Sequence, residues 1–313
     1  MAPLSPRPGH RLLRCPICRI GLDAAPGALV CRNRHSFDLA REGYVNLLPG
    51  NRRRPAEGGD RLDQLRHRAA FLEAGHFDFI TAAIRSRLQQ IAALPPDRSW
   101  RVLDAGSGTG HHLARIAAEL GPPVVGLGLD IAAAAARRAA RRWPGLAFAV
   151  ADLWADWPVH DAALDLVISI FAPKNFAETA RALRPGGRLA AVYPGPNHLA
   201  ELGRRYGLMR HHQHKARRYA GAAGRMIGPS TTVQLARRTF LDPAAMRDAV
   251  LMGPDARHIA PSVLDDETAP IAVTFDIDVL FACKRGAGPA ENRARGRKGG
   301  PVPWHLKGAR NRR

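Results

Sequence analysis

Cys15, Cys18, Cys31 and His35 stand in the spacing C-x2-C-x12-C-x3-H and take three of the chain's four cysteines. Two residues between Cys15 and Cys18 allow a tight knuckle that aims both thiolates at one point. Cys31 and His35 supply the other two corners of a tetrahedron. A full four-ligand set leaves no open position for water, so the pattern predicts one structural zinc ion. In a segment with so few apolar residues, metal binding supplies most of the folding energy. A disulfide or free thiols are the plainer alternative, and a disulfide suits an oxidising compartment rather than the cytosol. Cys283 reads as a buried small hydrophobe.

A second constellation begins at Asp104-Ala-Gly106-Ser-Gly108-Thr109-Gly110, where glycines let the backbone approach a ligand and expose amide donors. A nicotinamide fingerprint needs Gly or Ala three positions after Gly108, and His111 stands there instead. An acid followed by G-x-G-x-G suits a zwitterionic amino-acid group. Asp130, twenty residues after Gly110, is placed to take both hydroxyls of a ribose, and Asp152 to accept from an exocyclic adenine amine. Each aspartate alone reads as a solvated strand end. Together with the glycines they converge on S-adenosyl-L-methionine.

The elements that must position these residues alternate. Short apolar runs at 100–103, 124–129, 148–150, 166–170 and 188–193 read as strands. Helical spacing falls at 113–120, 132–142 and 176–183, and Pro185-Gly186-Gly187 marks a turn. Such alternation predicts an α/β fold, a doubly wound and mostly parallel sheet. Period-two alternation over 273–281 predicts an antiparallel closing strand. Earlier, Phe79, Ile80, Ala83, Ile84, Leu88 and Ile91 recur at helical spacing up to Pro95-Pro96, after a polar, Gly-rich stretch at 51–60. The chain thus divides into a zinc-binding module (1–50), a linker and helix (51–98), a cofactor-binding domain (99–285) and a disordered basic tail (286–313).

The net charge of +20 implies a polyanionic partner. From Lys284 onward ten Lys/Arg face only Glu291, so the tail carries nearly half of the excess and the body remains basic. Solvated arginine faces are the bland alternative. Arg32, Arg34 and Arg41 of the zinc module are candidate contacts to a nucleic-acid backbone, because a planar guanidinium matches phosphate. His211, His212 and His214 could suggest a metal, but Arg210, Lys215, Arg217 and Arg218 around them favour an RNA-facing loop. The sequence has neither a run of about 18 apolar residues nor an apolar signal region, so a cytoplasmic protein without a membrane partner is expected.

At this level of detail the chain resembles the 23S rRNA (guanine-N1)-methyltransferases of the RlmA/TlrB group. The resemblance runs from Cys15-Pro-Ile-Cys18 through Cys31-Arg-Asn-Arg-His35 and its continuation Glu42-Gly-Tyr-Val-Asn-Leu47. It continues at Gly59-Asp60, at 68–76, at 103–110 and at Pro194-Gly-Pro-Asn-His198, covering about residues 12 to 283. Met252-Gly-Pro-Asp-Ala-Arg-His258 lies closer to the tylosin-resistance branch. The resemblance implies a class I, Rossmann-like methyltransferase with a zinc-ribbon-like module, methylating guanine N1 in a 23S rRNA hairpin, with macrolide resistance as an associated outcome. It also implies a homodimer forming an RNA cleft, and Phe77 and His198 lining the cofactor pocket beside Gly108 and Thr109. Phe77 fills a position that is often Tyr, so stacking survives without a phenolic hydrogen bond.

Guanine N1 is engaged in Watson–Crick pairing, so the base must leave its stack before a methyl group can reach it. The loop after the fourth strand, Phe171-Ala-Pro-Lys174, is where that base should sit, with Phe171 and Lys174 as substrate contacts. It lacks the Asn/Asp-Pro-Pro-Tyr arrangement of exocyclic-amine methyltransferases. No residue is assigned as general base. A small-molecule methyltransferase, or a noncatalytic RNA-binding protein with a vestigial cofactor fold, are the competing readings; the first leaves the zinc module unexplained, and intact Asp104 and glycines speak against the second.

Overall fold

A computed structural model describes residues 5–49, 59–90, 98–121, 123–209 and 215–286. In chain order the elements are β1 (Asp23–Ala25), β2 (Ala28–Val30), β3 (Ser36–Asp38), β4 (Tyr44–Asn46), α1 (Leu62–Glu73) and α2 (Asp78–Gln89). Then follow β5 (Trp100–Ala105), α3 (His111–Glu119), β6 (Val124–Asp130), α4 (Ala133–Arg142), β7 (Ala147–Val150), β8 (Leu164–Ile170), α5 (Phe176–Ala182) and β9 (Leu183–Pro194). The chain closes with α6 (Ala200–Tyr206), α7 (Lys215–Met226), β10 (Ser230–Leu241), α8 (Pro243–Leu251) and β11 (Ile271–Cys283).

One eight-stranded sheet in the order β10-β11-β9-β8-β5-β6-β7-β4 organises the molecule. Its six strands from β9 to β4 are parallel, and β11 and β10 are antiparallel. The central parallel strands read as short apolar runs because both faces are covered; β8 is buried at every position. The chain leaves central β5 toward β6 and β7, then crosses back to β8 on its other side. Strand order therefore reverses between β5 and β8, which opens a crevice at the carboxyl ends of the strands.

Three sequence expectations shift. The period-two strand, β11, lies between β9 and β10, so β10 rather than β11 closes the sheet. The turn at 185–187 falls inside β9, with Gly186 at a φ of 75°. The helix read over 79–91 is α2, and α1 precedes it; Ile91, Pro95 and Pro96 lie outside the described residues, as do 50–58, His211, His212, His214 and the tail from 287.

The N-terminal segment forms a small antiparallel sheet, β1-β2-β3, but it does not stand apart. Its last strand, β4, joins the large sheet beside β7, pairing Val45 with Ala149. One apolar cluster runs from Cys15, Leu29 and Cys31 through Leu13, Trp157 and Val159 to Leu183 and Ala191. Arg7 rivets the two parts. Its guanidinium donates to Glu42 O at 2.7 Å on one side, and to Ala140 O at 2.9 Å and Leu146 O at 2.7 Å on the other. Gly9 lies so close to β6 that a Cβ there would sit 2.2 Å from Gly126 O.

Candidate active site

Two matching knuckles build the metal site. The Cys15 carbonyl accepts from Arg19 N–H at 2.9 Å, and the Cys31 carbonyl from Arg34 N–H at 2.8 Å. Arg19 and Arg34 take left-handed φ values of 63° and 62°, which turn each chain back beneath its sulfur. The thiolates of Cys15, Cys18 and Cys31 and Nδ1 of His35 all lie within 4.8 Å of one another. Cys18 Sγ is 3.6 Å from Cys31 Sγ, and His35 Nδ1 is 3.4 Å from Cys31 Sγ and 3.5 Å from Cys15 Sγ. A tetrahedral zinc with bonds of about 2.0–2.3 Å requires edges of about 3.4–3.8 Å. The donor set fits zinc in kind and spacing, and as a closed N/S set it is structural. Arg32 and Arg34, between the ligands Cys31 and His35, are exposed, and so is Arg41, which lines a cavity with Arg7, Glu42 and Arg141.

The second site lies at the carboxyl ends of β5, β6 and β7. Gly106, Gly108 and Gly110 all have positive φ, at 91°, 51° and 75°. At Gly106 a Cβ would meet Ala172 Cβ at 2.2 Å, so the glycine loop and the loop after β8 close on each other there. Thr109 is buried, and its carbonyl accepts from Trp143 Nε1 at 3.1 Å, tying the loop to the end of α4. Asp130 accepts Gly108 N–H and Ala132 N–H on its two oxygens, both at 2.8 Å, which fixes its carboxylate beside the loop. Burial still pushes its pKa up, against those two hydrogen bonds. Asp152 takes Trp154 N–H at 2.9 Å.

Asp104 is buried, and its Oδ1 has no hydrogen-bond partner among the described residues. Burial, reinforced by Asp130, pushes its carboxyl up to about 8, with Lys174 pulling the other way. A buried acceptor left without a partner at the end of β5 marks where a donor group belongs. A cationic amine there would meet that need. The closely approached glycines, Asp104 and the fixed carboxylate of Asp130 fit an S-adenosylmethionine of zwitterionic head and ribose.

Lys174 departs from its expected substrate-facing role. Its ammonium turns inward, donating to Ala172 O at 2.7 Å, Ser169 O at 3.0 Å and Ser169 Oγ at 3.2 Å. Burial pulls it down to about 7 against the opposing pull of Asp104. One donor thus bridges the end of β8 and the loop that follows it, so Lys174 holds the loop's shape. Phe171 does face outward, at 39% exposure, from a left-handed φ of 52°. Its ring stacks on His198 at 5.6 Å between centroids and lies 5.4 Å from buried Phe77. Phe71 and Phe275 complete the aromatic floor beneath Phe77. The His198 loop is held from β11: Asp276 accepts Asn197 N–H at 2.9 Å and Gln234 Nε2 at 2.7 Å.

Sequence reasoning missed Arg68, Asp60 and Trp143. Arg68 pairs with Asp60, donates to Met252 O at 2.8 Å, and its guanidinium stands 3.9 Å from where a Cβ on Gly108 would be. The only signal was that both lie in motifs that carry the family resemblance without a role of their own.

The fold, the glycine loop and the strand-end aspartates define an S-adenosylmethionine-dependent class I methyltransferase carrying a zinc ribbon. The family profile described as "RlmA, N-terminal" matches residues 13–55, and that described as "Methyltransferase domain" matches 102–187. The chain is 41% identical over 256 residues to the 23S rRNA (guanine(748)-N(1))-methyltransferase of Streptomyces fradiae, covering 81% of this chain and 89% of that one. It is 40% identical over 280 residues to a Micromonospora griseorubida protein described by the same guanine-N1 activity, covering 84% and 94%. The chain belongs to the 23S rRNA (guanine-N1)-methyltransferase family. Among solved structures, the YcgJ protein of Bacillus subtilis is similar with a TM-score of 0.44 and 17% identity, over 60% of this chain and 93% of that one.

Proposed function

We propose that this protein methylates N1 of a guanine in a 23S rRNA hairpin, at the position for which the Streptomyces fradiae relative is named, as one protomer of a homodimer in the cytoplasm. The observation that carries the reading is the union of two sites in one packed body: a closed zinc ribbon whose last strand, β4, extends the sheet that presents the cofactor crevice. No helix among the described residues is long and apolar enough to cross a membrane.

When bound, S-adenosylmethionine supplies an electrophilic methyl group on sulfur. Asp104 would receive its cationic amine, Gly106, Gly108 and Gly110 would let the main chain approach the amino-acid portion, and Asp130 and Asp152 would hold the ribose and the adenine. Phe77, buried behind Phe171 and His198, closes the inner wall. The stacked Phe171 and His198 rings form a shelf at the mouth on which an unstacked guanine can lie, offsetting part of the stacking lost on flipping. The chemistry so supplied would be transfer of that methyl group to guanine N1, whose proton would leave to solvent. Catalysis is then chiefly in-line positioning. Arg32, Arg34 and Arg41 of the ribbon contact phosphates.

N1 methylation blocks Watson–Crick pairing, so reverse transcription on 23S rRNA stops beside the modified base. The expected result is a stop that depends on the protein and the cofactor. Equal methyl transfer to a hairpin with adenine in place of that guanine refutes the N1 assignment. Macrolide resistance is checked by expressing the protein in a sensitive strain that lacks the modification.

A further inference from the structure

The Arg-rich helix α4 carries exposed charge that neither the zinc site nor the cofactor site described above uses. Its sequence, AAAARRAARR, has no acid. Ala136, Ala139 and Ala140 are buried in the core with the sheet and Ala135 beside Leu65 of α1, which leaves Arg137, Arg138, Arg141 and Arg142 exposed on the outer face. Arg137 with Arg141 and Arg138 with Arg142 are i,i+4 like-charge pairs, each opposing the helix by about 0.2–0.5 kcal/mol. Favourable charge at a helix C-terminus accounts for the last two arginines but not for the first two, a turn earlier. No described residue makes an ion pair with any of the four. Arg142 instead lies over the Trp143 ring, 4.5 Å from its centroid.

These arginines line a groove of about 530 Å³ between α1 and α4, with Arg66 on the opposite wall, Thr109 and His111 at its inner end and Glu73 as its lone acid. Arg141 also lines a neighbouring cavity of about 340 Å³ that reaches Arg7, Arg41 and Glu42 of the ribbon segment. The two cavities share Arg141, so their basic lining extends from Arg7 and Arg41 at one end to Thr109 of the cofactor loop at the other. Side chains four residues apart on α4 are about 6 Å apart along its axis, a ladder of planar guanidinium forks suited to successive phosphates.

We propose that α4 is a phosphate track that carries the backbone of the substrate RNA from the ribbon to the crevice. This rests on the reading of RNA as substrate and adds the surface that holds it. The ribbon arginines grip one end and the α4 ladder sets the distance to the aromatic shelf. Because Trp143 both carries Arg142 and bonds to Thr109, the track ends on the cofactor loop itself.

The test is the triple variant Arg137→Gln, Arg138→Gln, Arg141→Gln, which keeps helix-forming stems and spares Arg142 and its Trp143 contact. Binding of a 23S hairpin is measured from low to high salt. Loss of three phosphate contacts should flatten the slope of log K against log salt by about 2 to 3, and weaken RNA affinity about tenfold or more. The loss should appear in KM for the RNA rather than in kcat. Cofactor affinity by calorimetry should stay at the wild-type value, showing an intact fold, and the matching triple Lys variant should keep the wild-type slope. If the wild type methylates the hairpin and the Gln variant shows the same slope and KM, the track is refuted and the methyltransferase reading stands. If the wild type does not methylate the hairpin, that reading falls, and the track is judged by the binding slope alone: retained in the Gln variant it is overturned, flattened it is supported.

Discussion

Moving from about pH 6 to about pH 7 should tighten S-adenosylmethionine binding. The cause is Asp104, whose carboxyl is raised to about 8 by burial and by Asp130. With that value about 1% of molecules carry the carboxylate at pH 6 and about 9% at pH 7, so an affinity that requires the carboxylate rises about ninefold over the unit. At pH 7 binding should release about 0.9 proton, read by calorimetry in buffers of differing ionisation enthalpy. Lys174 faces the same carboxyl and loses its own proton near 7, so the control is Asp104→Asn, which should bind weakly and with a flat profile. Linkage gives a second readout in the cofactor-free protein. The folded carboxyl holds its proton to a higher pH than the unfolded one, so its contribution to stability is present at acid pH and lost as pH rises through about 8. A wild type with pH-independent affinity and no proton release, or an Asn variant with the same slope, would refute the reasoning.

Gly106→Ala places a methyl against Ala172 at a backbone conformation that disfavours side chains; it should destabilise the protein by about 1–3 kcal/mol and abolish detectable cofactor binding in calorimetry. Cys18→Ser should drop zinc from one ion per chain to none in metal analysis, and unchanged zinc content would exclude the tetrahedral site. Arg7→Lys should lower the melting temperature nearly as much as Arg7→Ala, since one ammonium cannot span acceptors on the ribbon and on α4 that the guanidinium fork reaches together.

The parallel core was legible because each central strand is an apolar run between turn signals, and the aspartates stand where those runs end. The zinc ligands were legible because their spacing is local. What the sequence hid is tertiary. β10 is exposed along most of its length, so it shows no clean two-residue alternation, and β11 looked like the edge in its place. β4 is three residues long, too short to announce the sheet it joins. Arg7 reads as one charge among many until its carbonyl acceptors, 35 to 139 residues away, converge on it. Lys174 looked like a surface cation, yet the carbonyls of its own loop draw it inward.

The two rims of the large sheet differ in length, three residues at β4 and twelve at β10. Among the described residues nothing pairs with the outer side of β10, which therefore offers a row of free amide and carbonyl groups to any other extended chain, with Val233 and Phe240 exposed along it. Arg237 and Arg238 are consecutive, so one guanidinium points to each face, and an approaching copy of the same strand meets like charge on whichever side it lies. Screening the two arginines with salt should therefore increase self-association in light scattering.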